Sequence, residues 1–175
     1  KVGRGAFMPT PEAARELATL MVDMGTDAGR AMVALLSDMN QPLGRAVGNA
    51  LEVKEAIATL RGGGPVDFRE HALEVAARML TLAGRAPDAA TARDLCAGAL
   101  ADGSAWEQFR VLVSAQDGDV AAVDDPSRLP AAALVAPVLA ARAGVIAAVD
   151  AETVGETSMA LGAGRTRKED PIDYS

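Results

Sequence analysis

Two short stretches hold residues placed for chemistry. The first, Lys1-Val2-Gly3-Arg4-Gly5-Ala6-Phe7-Met8, sets two glycines one residue apart ahead of an aromatic ring. Residues without a large side chain allow unusual dihedrals and let a ligand approach the backbone, and a flat ring beside them offers stacking or edge contacts. A tight strand-to-helix turn needs the same Gly-x-Gly, so the pattern alone does not separate binding from folding. The second stretch, Leu35 to Val53, runs from an apolar end through the polar turn Ser37-Asp38-Met39-Asn40-Gln41 to a helix start. Ligands of open α/β sheets gather beyond the carboxyl ends of the strands, where helix N-termini and turn carbonyls are free to bind them. Asp38, Asn40, Gln41 and Asn49 could bind a ligand there, but turn and capping roles are favoured for most, because such side chains commonly bond their own backbone. Glu55 lies on the helix that follows, where a carboxylate is ordinarily solvated or paired with a neighbouring Lys or Arg.

The remaining reactive side chains carry less. His71, beside Arg69 and Glu70, has no Ser, Cys or second His at a readable spacing and reads as a surface residue. Cys96 reads as a small buried side chain, since nothing near it in sequence would lower its pKa. The chain has no zinc-ligand spacing, Walker loop or Gly-x-Ser-x-Gly elbow.

Positioning these stretches takes alternating elements. Thr10 is suited to cap a helix with Pro11 at its first position and Leu17, Leu20, Met21 and Met24 on one face, ended by Gly25 or Gly29. Ala31 to Leu36 is an apolar run of buried-strand length, and strand, helix, strand is the grammar of a parallel βαβ unit. A second helix is expected from Gly44 or Arg45 to Leu60, stopped by Gly62-Gly63-Gly64-Pro65, the clearest hinge in the chain. Helices are expected over roughly 66–84, 88–102 and 104–115, then a polar loop from Asp117 to Pro130. Leu134–Leu139 and Val145–Val149 read as short strands, the first limited to an edge or bulge by Pro137. Asp150 is a suitable cap for a helix from Glu152 to about Leu161.

Composition narrows the classes. The 175 residues fit one ordinary domain or most of one, and half are apolar, enough for a packed core. The formal charge of −7 argues against a nucleic-acid surface, since the basic residues are scattered among acids except at Arg165-Thr166-Arg167-Lys168. One cysteine allows no internal disulfide and fits a reducing cytoplasm. No apolar run approaches the about 20 residues a membrane span needs.

The stretch Asp38-Met39-Asn40-Gln41-Pro42-Leu43-Gly44-Arg45-Ala46-Val47-Gly48-Asn49-Ala50-Leu51-Glu52-Val53 resembles a segment of thymidine and pyrimidine-nucleoside phosphorylases. Lys1 to Met8 resembles that family's "KxGxGAFM" strand-loop, and Ala160-Leu161-Gly162-Ala163-Gly164-Arg165 through Ser175 resembles the entry to its C-terminal β-rich part. The likeness is strongest over Lys1–Thr10, Leu35–Arg61 and Gly144–Ser175. It implies an α/β fold: part of the large α/β domain, with parallel-sheet strands plus a helical layer, over 1–130, and the start of a C-terminal α+β region over 131–175. Both ends read as truncated, so the resemblance places the phosphate loop, the catalytic groups and the helical domain that makes a homodimer outside this piece.

The activity it implies is phosphorolysis of a pyrimidine nucleoside, thymidine, deoxyuridine or uridine, by inorganic phosphate, giving free base and a pentose 1-phosphate in the intact enzyme. Phe7 aligns with the residue lining the pyrimidine pocket, whereas Arg4 departs from the small residue expected there. Leu43 and Ala46 align with main-chain oxygen donors, and Glu55 with a carboxylate donor, to a monovalent cation, potassium being expected. A hard cation wants several oxygens, and turn carbonyls plus one carboxylate supply them with little net charge. The expected partners are nucleoside and phosphate, with no nucleic acid and no membrane, in the cytoplasm. Two alternatives stand beside this reading: an anthranilate-type phosphoribosyltransferase using a diphosphate sugar and magnesium, and a non-catalytic helical binding module.

Overall fold

The computed structural model describes residues 1–175, and its regular structure is helical. Helix α1 (Pro11–Asp27) starts as its sequence dictates: the Thr10 hydroxyl accepts from the Ala13 N–H at 3.3 Å and Pro11 takes the first position. It runs through Gly25 and ends before Gly29, the second of the two expected stops. Helix α2 (Asn49–Leu60) starts later than Gly44 or Arg45, because residues 44–46 are held in a turn and Gly48 is the cap. Helices α3 (Val66–Leu82), α4 (Ala89–Ala101) and α5 (Ser104–Ala115) fall where the apolar spacing puts them.

The expected loop from Asp117 to Pro130 instead contains α6 (Val120–Asp124) and a 3-10 turn (Pro126–Arg128). Asp119 and Asp125, which read as loop formers, are their caps, accepting from the N–H groups of Ala121 at 2.9 Å and Ser127 at 3.1 Å. Helix α7 (Ala151–Ser158), capped by Asp150 through the Thr153 N–H, runs on into a π turn (Met159–Ala163) broken at Gly162.

The three expected strands differ from expectation. Residues 31–36, 134–139 and 145–149 lie outside any helix or ladder, and the backbone pairing is limited to isolated bridges of Val2 with Met8 and with Asp38. A strand is defined by the neighbour it bonds to, and no other segment of this chain offers its backbone to these runs.

The core is correspondingly small. Eleven of 175 residues are buried, so the apolar half of the composition does not close into a large interior as expected from its proportion. Its best-packed part is the α3–α4 pair, where Ala77, Ala86 and Ala92 meet beside Leu80 and Arg93 pairs with Glu70 across the seam. Helix α2 is tied to α5 and α6 by Arg61, which lies 4.1 Å from the Trp106 ring centre and donates to the Asp124 carbonyl at 2.9 Å. The Asp124 carboxylate also accepts from Nε and Nη2 of Arg110, at 2.8 and 3.0 Å. No helix is long and apolar enough to cross a membrane.

Candidate functional site

The two stretches with the most chemical content are brought together. The Val2 N–H donates to the Ser37 carbonyl at 2.8 Å and the Met39 N–H to the Val2 carbonyl at 2.6 Å, so the opening segment lies alongside the polar turn. The Gly5 N–H then donates to the Met39 carbonyl at 3.1 Å, and the Arg4 N–H to the Asn40 side-chain oxygen at 3.3 Å. Gly3 is buried at φ 131°, and a Cβ there would stand 2.8 Å from the Asn40 nitrogen, so this close approach needs a glycine. Asp38 shapes the turn itself: its carboxylate accepts from both the backbone and the side-chain N–H of Asn40, at 3.0 and 2.6 Å. These are the turn roles expected of Asp38 and Asn40.

Phe7 stands at the edge of this assembly, 99 % exposed. Behind it, Arg4 pairs with Asp150 at 3.0 Å and with Glu152 at 3.7 Å, which ties the opening loop to the start of α7. The Ala151 N–H completes the join by donating to the Asn40 carbonyl at 3.1 Å. Hydrogen bonds from Thr153, the backbone N–H foremost, hold the Asp150 carboxyl below its ordinary value of 3.8, and the Arg4 charge adds to the shift. Arg4 itself stays largely exposed beside these two carboxylates.

The turn from Leu43 to Ala46 is gripped from two helices. Glu55 of α2 accepts from the N–H groups of Arg45 at 3.0 Å and Ala46 at 3.1 Å through one carboxylate oxygen. Asp67, in the first turn of α3, accepts from the Gly44 N–H at 3.1 Å. Gly44 sits at φ 74°, and a side chain there would collide with the Glu55 carboxylate. The turn's donors are therefore spent on carboxylates, while the carbonyl oxygens of Leu43 and Ala46 accept from no protein donor. The half-buried Glu55 carboxylate thus lies against a turn with two carbonyls that no protein donor occupies, and no cluster of three or more His, Cys, Asp or Glu side chains forms there. Asp67 escaped the sequence reading because a first-turn acid is explained by the helix dipole alone.

Glu52 is not idle either: it accepts from the Gly48 N–H at 3.3 Å, reaching back over the start of its helix. Asn49 departs furthest from a local role, since its side chain bonds the carbonyls of Ala163 and Asp173. His71 and Cys96 are half-buried and belong to none of these groups.

Comparison with known proteins matches two regions of the chain. Residues 1–106 match the model of the glycosyl transferase family, a/b domain, and residues 145–175 that of the pyrimidine nucleoside phosphorylase C-terminal domain. The chain belongs to this glycosyl transferase family. It is 49 % identical over all 175 residues to a pyrimidine-nucleoside phosphorylase of Bacillus subtilis, 47 % to one of Geobacillus stearothermophilus and 49 % to one of Staphylococcus haemolyticus. In each case it spans 40 % of the relative's length. The resemblance carried by Lys1–Met8 and Asp38–Val53 is thus borne out over the whole chain.

Proposed function

We propose that the intact protein phosphorolyses pyrimidine nucleosides, taking inorganic phosphate as co-substrate and releasing free base and a pentose 1-phosphate. The observation that carries this is the unbroken likeness, 46 to 49 % identical over all 175 residues, to pyrimidine-nucleoside phosphorylases from several bacteria. Phosphate attacks the anomeric carbon as the glycosidic bond breaks, and donors around the base stabilise its leaving charge. Phe7, exposed on the loop beside the polar turn, borders the base pocket in this reading. Thymidine, deoxyuridine and uridine are the substrates it covers.

Potassium is the cofactor of the proposal. Leu43 and Ala46 would hold it through their carbonyls and Glu55 through its carboxylate, and the donor-free carbonyls of that turn support the assignment. Its bound charge would fix the turn where carboxylates alone leave it negative. The finer architecture belongs to the same reading: residues 1–130 supply strands and a helical layer of a parallel-sheet domain, 31–36 among them, and 131–175 open a C-terminal region. The separate matches over 1–106 and 145–175 support that division. A homodimer and a cytoplasmic location are carried over from the family resemblance alone.

The test is a base-release assay on the intact protein with thymidine, deoxyuridine and uridine, with and without phosphate. Phosphate-dependent release is expected. Transfer from a diphosphate sugar that requires magnesium, with no phosphorolysis, would establish the anthranilate-type alternative instead. Neither reaction, with nucleoside binding absent, would leave the binding-module alternative.

A further inference from the structure

Asn49 is the first residue of α2, yet its side chain serves neither that helix nor the turn before it. Its amide nitrogen donates to the carbonyl oxygens of Ala163 and Asp173, both at 3.1 Å. A carboxamide has two N–H donors, so both are spent on carbonyls lying far along the chain. The next residue repeats the attachment, the Ala50 N–H donating to the Tyr174 carbonyl at 3.1 Å. The bonded loop is itself closed, since the Asp173 N–H donates to the Gly162 carbonyl at 2.9 Å. Gly48, the cap of α2, has no side chain with which to satisfy the helix's first donors, and the Tyr174 carbonyl meets one of them. From the same helix Glu55 grips the Arg45 and Ala46 N–H groups.

We propose that Asn49 is a positioning residue that couples the segment 159–175 to the Gly44–Ala46 turn. The segment fixes the start of α2 through Asn49 and Ala50, and α2 holds the turn through Glu55. Placement of the turn therefore depends on docking of a segment that lies in the other matched region of the chain. The relevance of this coupling to a cation rests on the phosphorylase reading, but the coupling itself does not.

Two substitutions in the intact protein separate coupling from a local helix role. Asn49→Asp keeps the shape and, at a helix N-terminus, places a residue the helix dipole favours. It also turns a carboxylate towards two carbonyl oxygens. A local role makes Asp as good as Asn and Ala worse, whereas coupling makes Asp the worse of the two. Hydrogen exchange reads this directly. The expected result for Asn49→Asp is faster exchange of the Ala50 and Asp173 amides, by about tenfold for the loss of neutral hydrogen bonds. The Arg45 and Ala46 amides should exchange faster with them, while the α3–α4 pair stays unchanged. Asn49→Ala should give the same pattern at smaller amplitude, and it serves alone if the Asp variant does not fold. Wild-type exchange at Asp173 in both variants would overturn the docking. Faster exchange at Asp173 with none at Arg45 and Ala46 would overturn the coupling. Base release by the unsubstituted protein judges the phosphorylase reading separately, since no exchange outcome depends on it.

Discussion

Glu55 and Phe7 carry the two most direct tests. Glu55→Gln keeps an oxygen that can accept from the Arg45 and Ala46 N–H groups, so it isolates the charge. The intact enzyme carrying it should respond less to potassium, or need more of it, in a rate titration. A rate indifferent to potassium both before and after the change would reduce Glu55 to a clamp on its turn. The exposed Glu16 on α1, changed to Gln in the same way, serves as the control. Phe7→Ala should weaken nucleoside binding by roughly 1 to 3 kcal/mol, the scale of one apolar side chain, and leave phosphate affinity unchanged. An unaltered KM for nucleoside would remove Phe7 from the pocket. The local roles of Asp38 and Thr10 were legible because their partners lie within three residues, whereas Asn40 also accepts from Arg4 and Ala151, far along the chain. The pairing of Arg4 with Asp150 and the reach of Asn49 to Asp173 join residues far apart in sequence, and no local pattern announces them.

The elements divide along the same line. Helices close their hydrogen bonds within four residues, so caps and apolar spacing placed α1, α3, α4 and α5 closely. The runs 31–36, 134–139 and 145–149 had strand-like composition, but a strand also needs a neighbour, which a single stretch cannot specify. The α3–α4 seam offers a clean test of packing. Ala92 is fully buried against Ala77 and Ala86, so Ala92→Leu should destabilise by about 1 to 3 kcal/mol through overpacking. The exposed Ala97→Leu on the same helix should change little, and equal denaturant midpoints for the two would show that the seam is loose. The caps add a pH dependence. The caps Asp88, Asp125 and Asp150 are each held below the ordinary 3.8 by hydrogen bonds from the residue they cap, Thr91, Ser127 and Thr153, and Asp102, just before the α5 cap, is held down likewise by Ser104. A lowered carboxylate contributes stability that is full above its unfolded value and lost as pH falls through its folded value. Helix content should therefore hold steady from pH 7 to 5 in this respect and fall below about pH 4. A loss of helix complete by pH 5 would place its cause elsewhere.

At the scale of the whole molecule, surface and core are out of proportion. Leu134, Val135, Val138 and Leu139 are each at least 83 % exposed, and Val145 is 96 % exposed. Between α1 and residues 32–36 runs an apolar groove of about 240 Å³, lined by Leu17, Met21, Met32 and Leu35 among others. Monomeric proteins rarely leave contiguous apolar surface on this scale bare. The chain spans 40 % of the length of the curated relatives it matches. Residues 1–175 expressed alone should then bind an apolar dye strongly, self-associate, and fail to phosphorolyse thymidine or uridine, while the intact protein turns over nucleoside without dye binding on that scale. Parallel base-release, dye-titration and sedimentation measurements on the two polypeptides check this. Phosphate-dependent turnover by residues 1–175 alone would show that the catalytic groups lie among the loops of Gly3–Met8 and Ser37–Ala46. A monomeric, dye-silent form of the same piece would show that the exposed runs fold onto one another in solution, and the sheet would then be internal to this chain.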